Sequence, residues 1–209
     1  IDNEKNLVQQ VDNRAVVQYK MHNYTSEELD AIFDLPFTYE VPENFQEFGM
    51  AQFSVILHRG CFGKCYFCSI ALHQGNRIIS RSEANILREI EHIKKLPAFK
   101  GTIVDLGGPS ANMYGMDCDH PCGGDCIHCK QLDRSHSRLT ELLQRVRTLS
   151  GIKHSFVGSG IRYDLAVDAD EYLQELSRHI SGTLKIAPEH FSERVLYLMN
   201  KDNSRFDEF

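Results

Sequence analysis

Cys61-Phe62-Gly63-Lys64-Cys65-Tyr66-Phe67-Cys68 places three thiols within eight residues, in the spacing C-x3-C-x2-C, directly after the strand-like run Phe53–Leu57. Three thiolates this close can hold three irons of a [4Fe-4S] cube and leave the fourth iron open. An open iron is a place for chemistry, whereas a fully ligated cluster normally only stores and passes electrons. Zinc would want a fourth ligand to close a structural tetrahedron; His73 is the nearest candidate, and nothing in the sequence positions it. A second group follows at Cys118, Cys122, Cys126 and Cys129, four cysteines in twelve residues separated by Pro121, Gly123 and Gly124. The glycines let a short chain wrap one ion, and the segment has no apolar periodicity, so a metal would supply most of its order. A four-cysteine zinc site fits first, an auxiliary Fe–S cluster second, and disulfides or empty thiols third; His120 and His128 stand near enough to replace a cysteine.

These residues need a scaffold, and the sequence supplies a rhythm for one. Strand-like Phe53–Leu57 precedes the first cysteines. Ser80-Arg81-Ser82-Glu83 reads as a capping box with Ser80 as N-cap, followed by Ile86, Leu87, Ile90 and Ile93 at helical spacing and a stop at Pro97. Thr102–Leu106 is a second strand, and a helix runs from about Ser137 to Leu149 with Gly151 as its stop. Ser155–Val157 is a third strand; its helix starts at Asp168-x-x-Glu171 and carries Tyr172, Leu173, Leu176 and Ile180. Thr183–Ala187 is a fourth strand, and Val195, Leu196 and Met199 mark a last short helix. Four βα units imply a parallel sheet with helices outside it, joined by right-handed crossovers. Four do not close an eight-stranded barrel, and residue 1 is not Met, so both ends read as cuts within a longer protein.

Residues 1–50 form an acidic segment with one clear helix. Thr25-x-x-Glu28 caps it, Leu29, Ile32 and Phe33 face inward, and Pro36 ends it. The segment holds ten Asp/Glu against three Lys/Arg, and the remaining 159 residues are close to neutral within a net charge of −6. It reads as a solvated surface, with an acidic docking face as the alternative. Residues 51–209 read as the α/β core that carries both cysteine groups, with a Cys-rich insert at 117–130. No basic stripe suits nucleic acid, no apolar run reaches the length of a membrane span, and no signal-like start points to export. Seven cysteines in two tight groups point to metal ligation in a reducing compartment, which makes cytoplasm the expected address.

In parallel α/β folds, ligands sit at the C-terminal ends of the strands. The first strand delivers Cys61, Cys65 and Cys68 to that edge. The second delivers Gly107-Gly108-Pro109-Ser110, the third Ser159, Arg162 and Asp164, and the fourth Pro188-Glu189-His190.

With an aromatic at Phe67 before the last cysteine, the first group resembles the radical S-adenosylmethionine (SAM) signature C-x3-C-x-Φ-C. More narrowly, the chain resembles the YgiQ-type branch of radical SAM proteins in RGCFGKCYFCSI (59–70), IISRSEANI (78–86), DLGGPSANMYG (105–115), GSGIRYDLAV (158–167) and LKIAPEH (184–190). The resemblance implies part of a TIM-like α/β barrel, a [4Fe-4S] cluster and SAM. It also implies reductive cleavage of SAM to a 5′-deoxyadenosyl radical that takes a hydrogen from a substrate not specified, with an electron donor such as flavodoxin or ferredoxin as partner.

The resemblance places Gly107 and Gly108 where backbone approaches the SAM amino group, with Pro109 standing where many such enzymes have Glu. The ammonium contact then falls to backbone carbonyl or to Ser110. Phe67 would lie beside the adenine and offer its backbone. Arg162 suits either the SAM carboxylate or an ion pair with Asp164 or Asp168. Glu189 suits either ribose hydroxyls or the start of the last helix, and Ser159 is a further candidate. His190 reads as a structural hydrogen-bonder or a catalytic acid. Lys64 either offsets cluster charge or is solvated.

Two rival classes stand beside this reading. One is a Cys-rich zinc-binding interaction module, which leaves unexplained why the βα rhythm brings Gly107, Gly108 and Arg162 to the same edge. The other is a ferredoxin-like electron carrier, which wants a fourth cysteine for the first cluster.

Overall fold

The computed structural model describes residues 5–20, 22, 24–118 and 124–209. Its first element is a hairpin absent from the sequence reading. Strands β1 (Leu7–Val11) and β2 (Arg14–Gln18) pair antiparallel across an Asp12-Asn13 turn, with Asp12 at a φ of 53°. A two-residue Asp-Asn loop between β-branched runs was the signal for it.

The Thr25/Glu28 capping box forms as expected and starts α1 (Ser26–Phe33). Leu29 is buried, but Ile32 is exposed, because the helix turns a narrow face to the core. A 3-10 segment over Glu43–Ala51 leads to the sheet.

The strands are short. In chain order they are β3 (Ser54–Ile56), β4 (His58–Arg59), β5 (Ile79–Ser80), β6 (Thr102–Ile103), β7 (Asp105–Gly107) and β8 (His154–Ser155). β3 lies parallel to β7 with Ser54 opposite Asp105, and β6 lies parallel to β8 with Thr102 opposite His154. The expected second strand is thus broken at Val104, and each half serves a different neighbour. The Leu106 amide donates to the Phe156 carbonyl at 2.7 Å, so the three parallel runs stand side by side in chain order. The fourth expected strand, Thr183–Ala187, contributes a single bridge between Ile161 and Ile186. The chain is α/β with parallel pairs joined through helices, as its alternating pattern requires.

The helices are α2 (Ile70–His73), α3 (Glu83–Ile93), α4 (Ser137–Arg147), α5 (Tyr163–Ala166), α6 (Asp170–Leu176) and α7 (Glu193–Met199), with a 3-10 turn at Ser177–His179. Ile86, Ile90 and Ile93 of α3 pack with Leu139, Leu142, Leu143 and Val146 of α4 against Val55, Leu57, Ile103 and Leu106 of the strands. The N-cap of α3 is Ser82, not Ser80: the Ser82 hydroxyl accepts from the Asn85 amide, while the Ser80 hydroxyl accepts from the Gly115 amide. Asp168 does not cap α6, because its carboxylate pairs with Arg205 at 2.5 and 2.8 Å. Ile180 lies past the end of that helix.

Ser82 also donates to Asp30 of α1, and Asn85 donates to Asp34, so one serine starts α3 and ties it to the N-terminal helix. Ser82→Ala removes both bonds. It should lower the unfolding free energy by about 1–2 kcal/mol, measured by urea titration. A loss below a few tenths would mean that α3 is held by packing alone.

Candidate metal and cofactor site

The cysteine loop leaves the sheet through Gly60. Gly60 has a φ of 85°, and a Cβ there would lie 1.8 Å from the Arg77 carbonyl oxygen, so no side chain fits. The Cys61 amide donates to Gly75 O at 3.0 Å and the Cys68 amide to Cys65 O at 3.1 Å. Lys64 turns through a φ of 50° between them. All three thiols are free and half-buried. Burial pushes the Cys61 thiol up, the Gly63 backbone and Arg162 oppose this, and the charges of Cys65 and Cys68 act in the same direction as burial. The three sulfurs therefore share one electrostatic neighbourhood.

Three cysteine thiols are a donor set that a [4Fe-4S] cube takes. Among the described residues no three His, Cys, Asp or Glu side chains converge as a single metal ion requires. A [4Fe-4S] cube would be held with each thiolate on a different iron, the three sulfurs wider apart than around one ion.

The glycine pair stands at the end of the neighbouring strand, with Gly107 opposite Ile56. A Cβ on Gly108 would lie 2.4 Å from the His58 ring, and one on Gly107 would lie 2.8 Å from the Ser159 hydroxyl. His58 is fully buried with both ring nitrogens unpaired. Burial drives its pKa down to about 4, so the ring is neutral and acts as a flat wall behind Gly108. The Ser159 hydroxyl donates to Asp105 at 2.5 Å, and the same carboxylate accepts from the Gly158 and Ser159 amides. Ser159 is thus occupied in closing the turn. Ser110 is buried, and its carbonyl accepts from the Met113 amide.

Arg162 is 7% exposed and forms a two-bond pair with Asp164, at 3.0 and 2.5 Å. Burial opposes its charge, but the Asp164 carboxylate outweighs burial and raises its pKa above the ordinary value. Of its two sequence-stated partners the structure selects Asp164. Its Nη1 edge remains turned to the cysteine loop, where a Cβ on Gly63 would lie 2.7 Å from Nη1 and 3.4 Å from the Cys61 sulfur. Asn112 holds the Arg162 backbone at both its N–H and its C=O, at 2.8 and 2.9 Å, and in turn contacts His136. Sequence reasoning quoted the stretch containing Asn112 without seeing this role.

Phe67 is 53% exposed, so it is not a core residue. Glu189 sits at a φ of 68°, outside α7, whose first-turn acid is Glu193. The His190 ring accepts from the Ser192 amide at 2.8 Å, which is the structural alternative. Lys64 donates to Gly124 O at 3.3 Å and so links the cysteine loop to the insert.

Of the second cysteine group, Cys122 lies outside the described residues, as does His120. Cys118 is exposed, with its carbonyl accepting from Arg77, and Cys126 and Cys129 are half-buried, with the Cys129 amide donating to Cys126 O. The described three do not form a metal cradle among themselves. His128 is taken up by Asp125 and Asp202.

A cleft of about 690 Å³ opens between the cysteine loop, the insert and the end of α7. Tyr66, Ile127, Arg162, Tyr197 and Lys201 are among its walls. Lys201 was missed in the sequence. Its signal was the Asn200-Lys201 pair that closes α7, since Asn is common where a helix ends in the left-handed conformation.

A parallel α/β core, three thiols after its first parallel strand and a glycine pair on the adjoining strand define a class of metal-dependent fold, and comparison with known proteins agrees. The profile described as the Radical SAM superfamily matches residues 55–209, and the chain belongs to that superfamily. It is similar to a UPF0313 protein of Methanosarcina acetivorans, 45% identical over 216 residues, covering 96% of this chain and 29% of that protein. A UPF0313 protein of Bacteroides thetaiotaomicron is 42% identical over 233 residues, covering 97% of this chain and 37% of its own length. The chain therefore spans roughly a third of the length of the curated relatives it matches. No helix among the described residues is long and apolar enough to cross a membrane.

Proposed function

We propose that this chain is the cofactor-holding part of a radical SAM enzyme, with Cys61, Cys65 and Cys68 binding a [4Fe-4S] cluster and the adjoining strand ends binding SAM. The observation that carries the proposal is the meeting of three loops at one sheet edge: the free thiols after β3 and β4, Gly107-Gly108 at the end of β7, and Arg162 after β8. A zinc-binding interaction module needs none of the last two. The parallel runs are the first part of a TIM-like barrel in this reading.

Bound by Cys61, Cys65 and Cys68, the cluster would supply the electron for reductive cleavage of SAM and so for radical hydrogen abstraction from a substrate. The chain's own share is binding and orientation. Gly107 and Gly108 let backbone approach the SAM amino group, with Ser110 beside them. Phe67 offers its backbone to the adenine from an exposed position. Arg162, pinned by Asp164 and Asn112, presents Nη1 to the carboxylate. Ser159 serves by fixing the turn through Asp105, and Glu189 is offered to the ribose hydroxyls. The electron comes from a small carrier such as flavodoxin or ferredoxin. The second cysteine group, with zinc or an auxiliary cluster, takes no step in this scheme.

The full-length protein, reconstituted anaerobically and reduced with dithionite, should show an electron-paramagnetic signal that changes shape when SAM is added. A signal indifferent to SAM while the iron stays bound would remove SAM from the site.

A further inference from the structure

α7 ends in a way that serves the cysteine loop. Asn200 adopts the left-handed conformation at a φ of 51°, and the Lys201 amide donates back to the Leu196 carbonyl at 3.0 Å, which closes the helix and reverses the chain. The Asn200 side chain donates to the Lys64 carbonyl at 2.9 Å, and the Tyr66 amide donates to the Met199 carbonyl at 3.0 Å. Lys201 is thereby fixed at the wall of the cleft that the cysteine loop also lines.

Its side chain is 5% exposed, and its one ion-pair partner among the described residues is Glu189, at 4.0 Å. That is the outer limit of an ion pair. A second cation, Arg162, lines the same cleft with its charge already matched by Asp164. Burying an ammonium group is costly unless an anion stands close to it. The nearest carboxylate, Glu189, stands at that limit, and Asp164 is already paired with Arg162, while the thiol of Cys65 also lies near enough to feel the Lys201 charge.

We propose that Lys201 is the counter-cation of the cluster held by Cys61, Cys65 and Cys68, fixed by the Asn200 cap so that its ammonium offsets the charge of the thiolate-bound iron and eases its one-electron reduction. The proposal rests on the radical SAM reading above. Reduction adds a negative charge to an assembly that already carries one, so a fixed positive charge on an almost wholly buried side chain favours the reduced form. Arg162 also acts on Cys61, but its charge is shared with Asp164.

The test is an electron-paramagnetic redox titration of the full-length protein with dithionite as reductant, comparing wild type, Lys201→Met and Lys201→Arg. At the solution potential that leaves the wild-type cluster half reduced, Lys201→Met should show a reduced-to-oxidised ratio about tenfold lower. Lys201→Arg should stay within about twofold of wild type, because it keeps the charge. Coincident titrations of Lys201→Met and wild type, at equal iron content, overturn the proposal. If Lys201→Met loses its iron, metal-free unfolding in urea decides. An unchanged midpoint together with iron retained in Lys201→Arg supports charge compensation. A lowered midpoint with iron lost in both variants shows a packing role and overturns it. A wild-type protein that takes up no iron refutes the radical SAM reading itself, and that result is distinct from all of these.

Discussion

Gly60→Ala should cost the protein both its cysteine loop and its iron. The substituted methyl would stand 1.8 Å from the Arg77 carbonyl oxygen and 2.8 Å from its carbon, and both are backbone atoms that cannot swing away as a side chain would. A φ of 85° adds a second penalty, since L-residues with a Cβ avoid that region. Backbone strain and overpacking together come to about 3 kcal/mol or more. Relief requires the chain to move at Gly60, and Cys61 is the next residue, hydrogen-bonded to the same 75–77 segment through Gly75. The expected result is a lower urea midpoint for the metal-free protein together with iron uptake well below wild type after anaerobic reconstitution. Unchanged iron and an unchanged midpoint would show that the exit from the sheet is not what shapes the loop.

Replacing Cys61, Cys65 and Cys68 together by Ala should give the largest loss of all: about four irons per chain at this site, reduced to none. The metal-free fold should barely change. These thiols are half-buried, and the helices and strands behind them bury their own apolar faces, so a cost of about 1 kcal/mol is expected. Iron and zinc content by mass spectrometry, beside thermal unfolding, checks both halves. The same sample reports on Cys118, Cys122, Cys126 and Cys129. About one zinc per chain would mark a structural four-cysteine site, and roughly four irons would mark an auxiliary cluster. If the triple variant kept all its iron and still responded to SAM, the loop would not be the cofactor site.

The sequence made the βα order legible because β-branched runs and i, i+3, i+4 patterns come from burial, and burial is local enough to read along a chain. Ile86, Ile90 and Ile93 show this on α3, and Leu142 and Val146 on α4. Caps were harder. Ser80 and Ser82 offer the same hydroxyl two residues apart, and only the Gly115 amide, which takes Ser80, leaves the cap to Ser82. Asp168 sat at a plausible cap position, but Arg205 claims it from 37 residues away. The fourth strand read well in composition, yet a strand is defined by its partner, and Thr183–Ala187 finds only the bridge at Ile161. At the site, spacing marked the thiols, and a place after the second strand together with the family resemblance marked the glycine pair. His58, Asn112 and Lys201 escaped because their place depends on tertiary contacts: a ring packed on Gly108, an amide clamped to Arg162, and a lysine carried in by a helix end.

That helix end also bears on when the site comes into being during synthesis. Asn200 reaches back 136 residues to Lys64, and Met199 to Tyr66. Contacts this distant along the chain form late, because a long loop must close before they repay its entropy. While the ribosome has delivered the three cysteines but not yet α7, the thiols stand in a loop that lacks its outer wall and Lys201. A cluster inserted at that moment would be open to solvent and oxygen. The order of residues along this chain therefore leaves the wall formed by α7 as the last part of the cleft to be made, and a cluster on these thiols would gain that wall only once residues 193–201 have been synthesised.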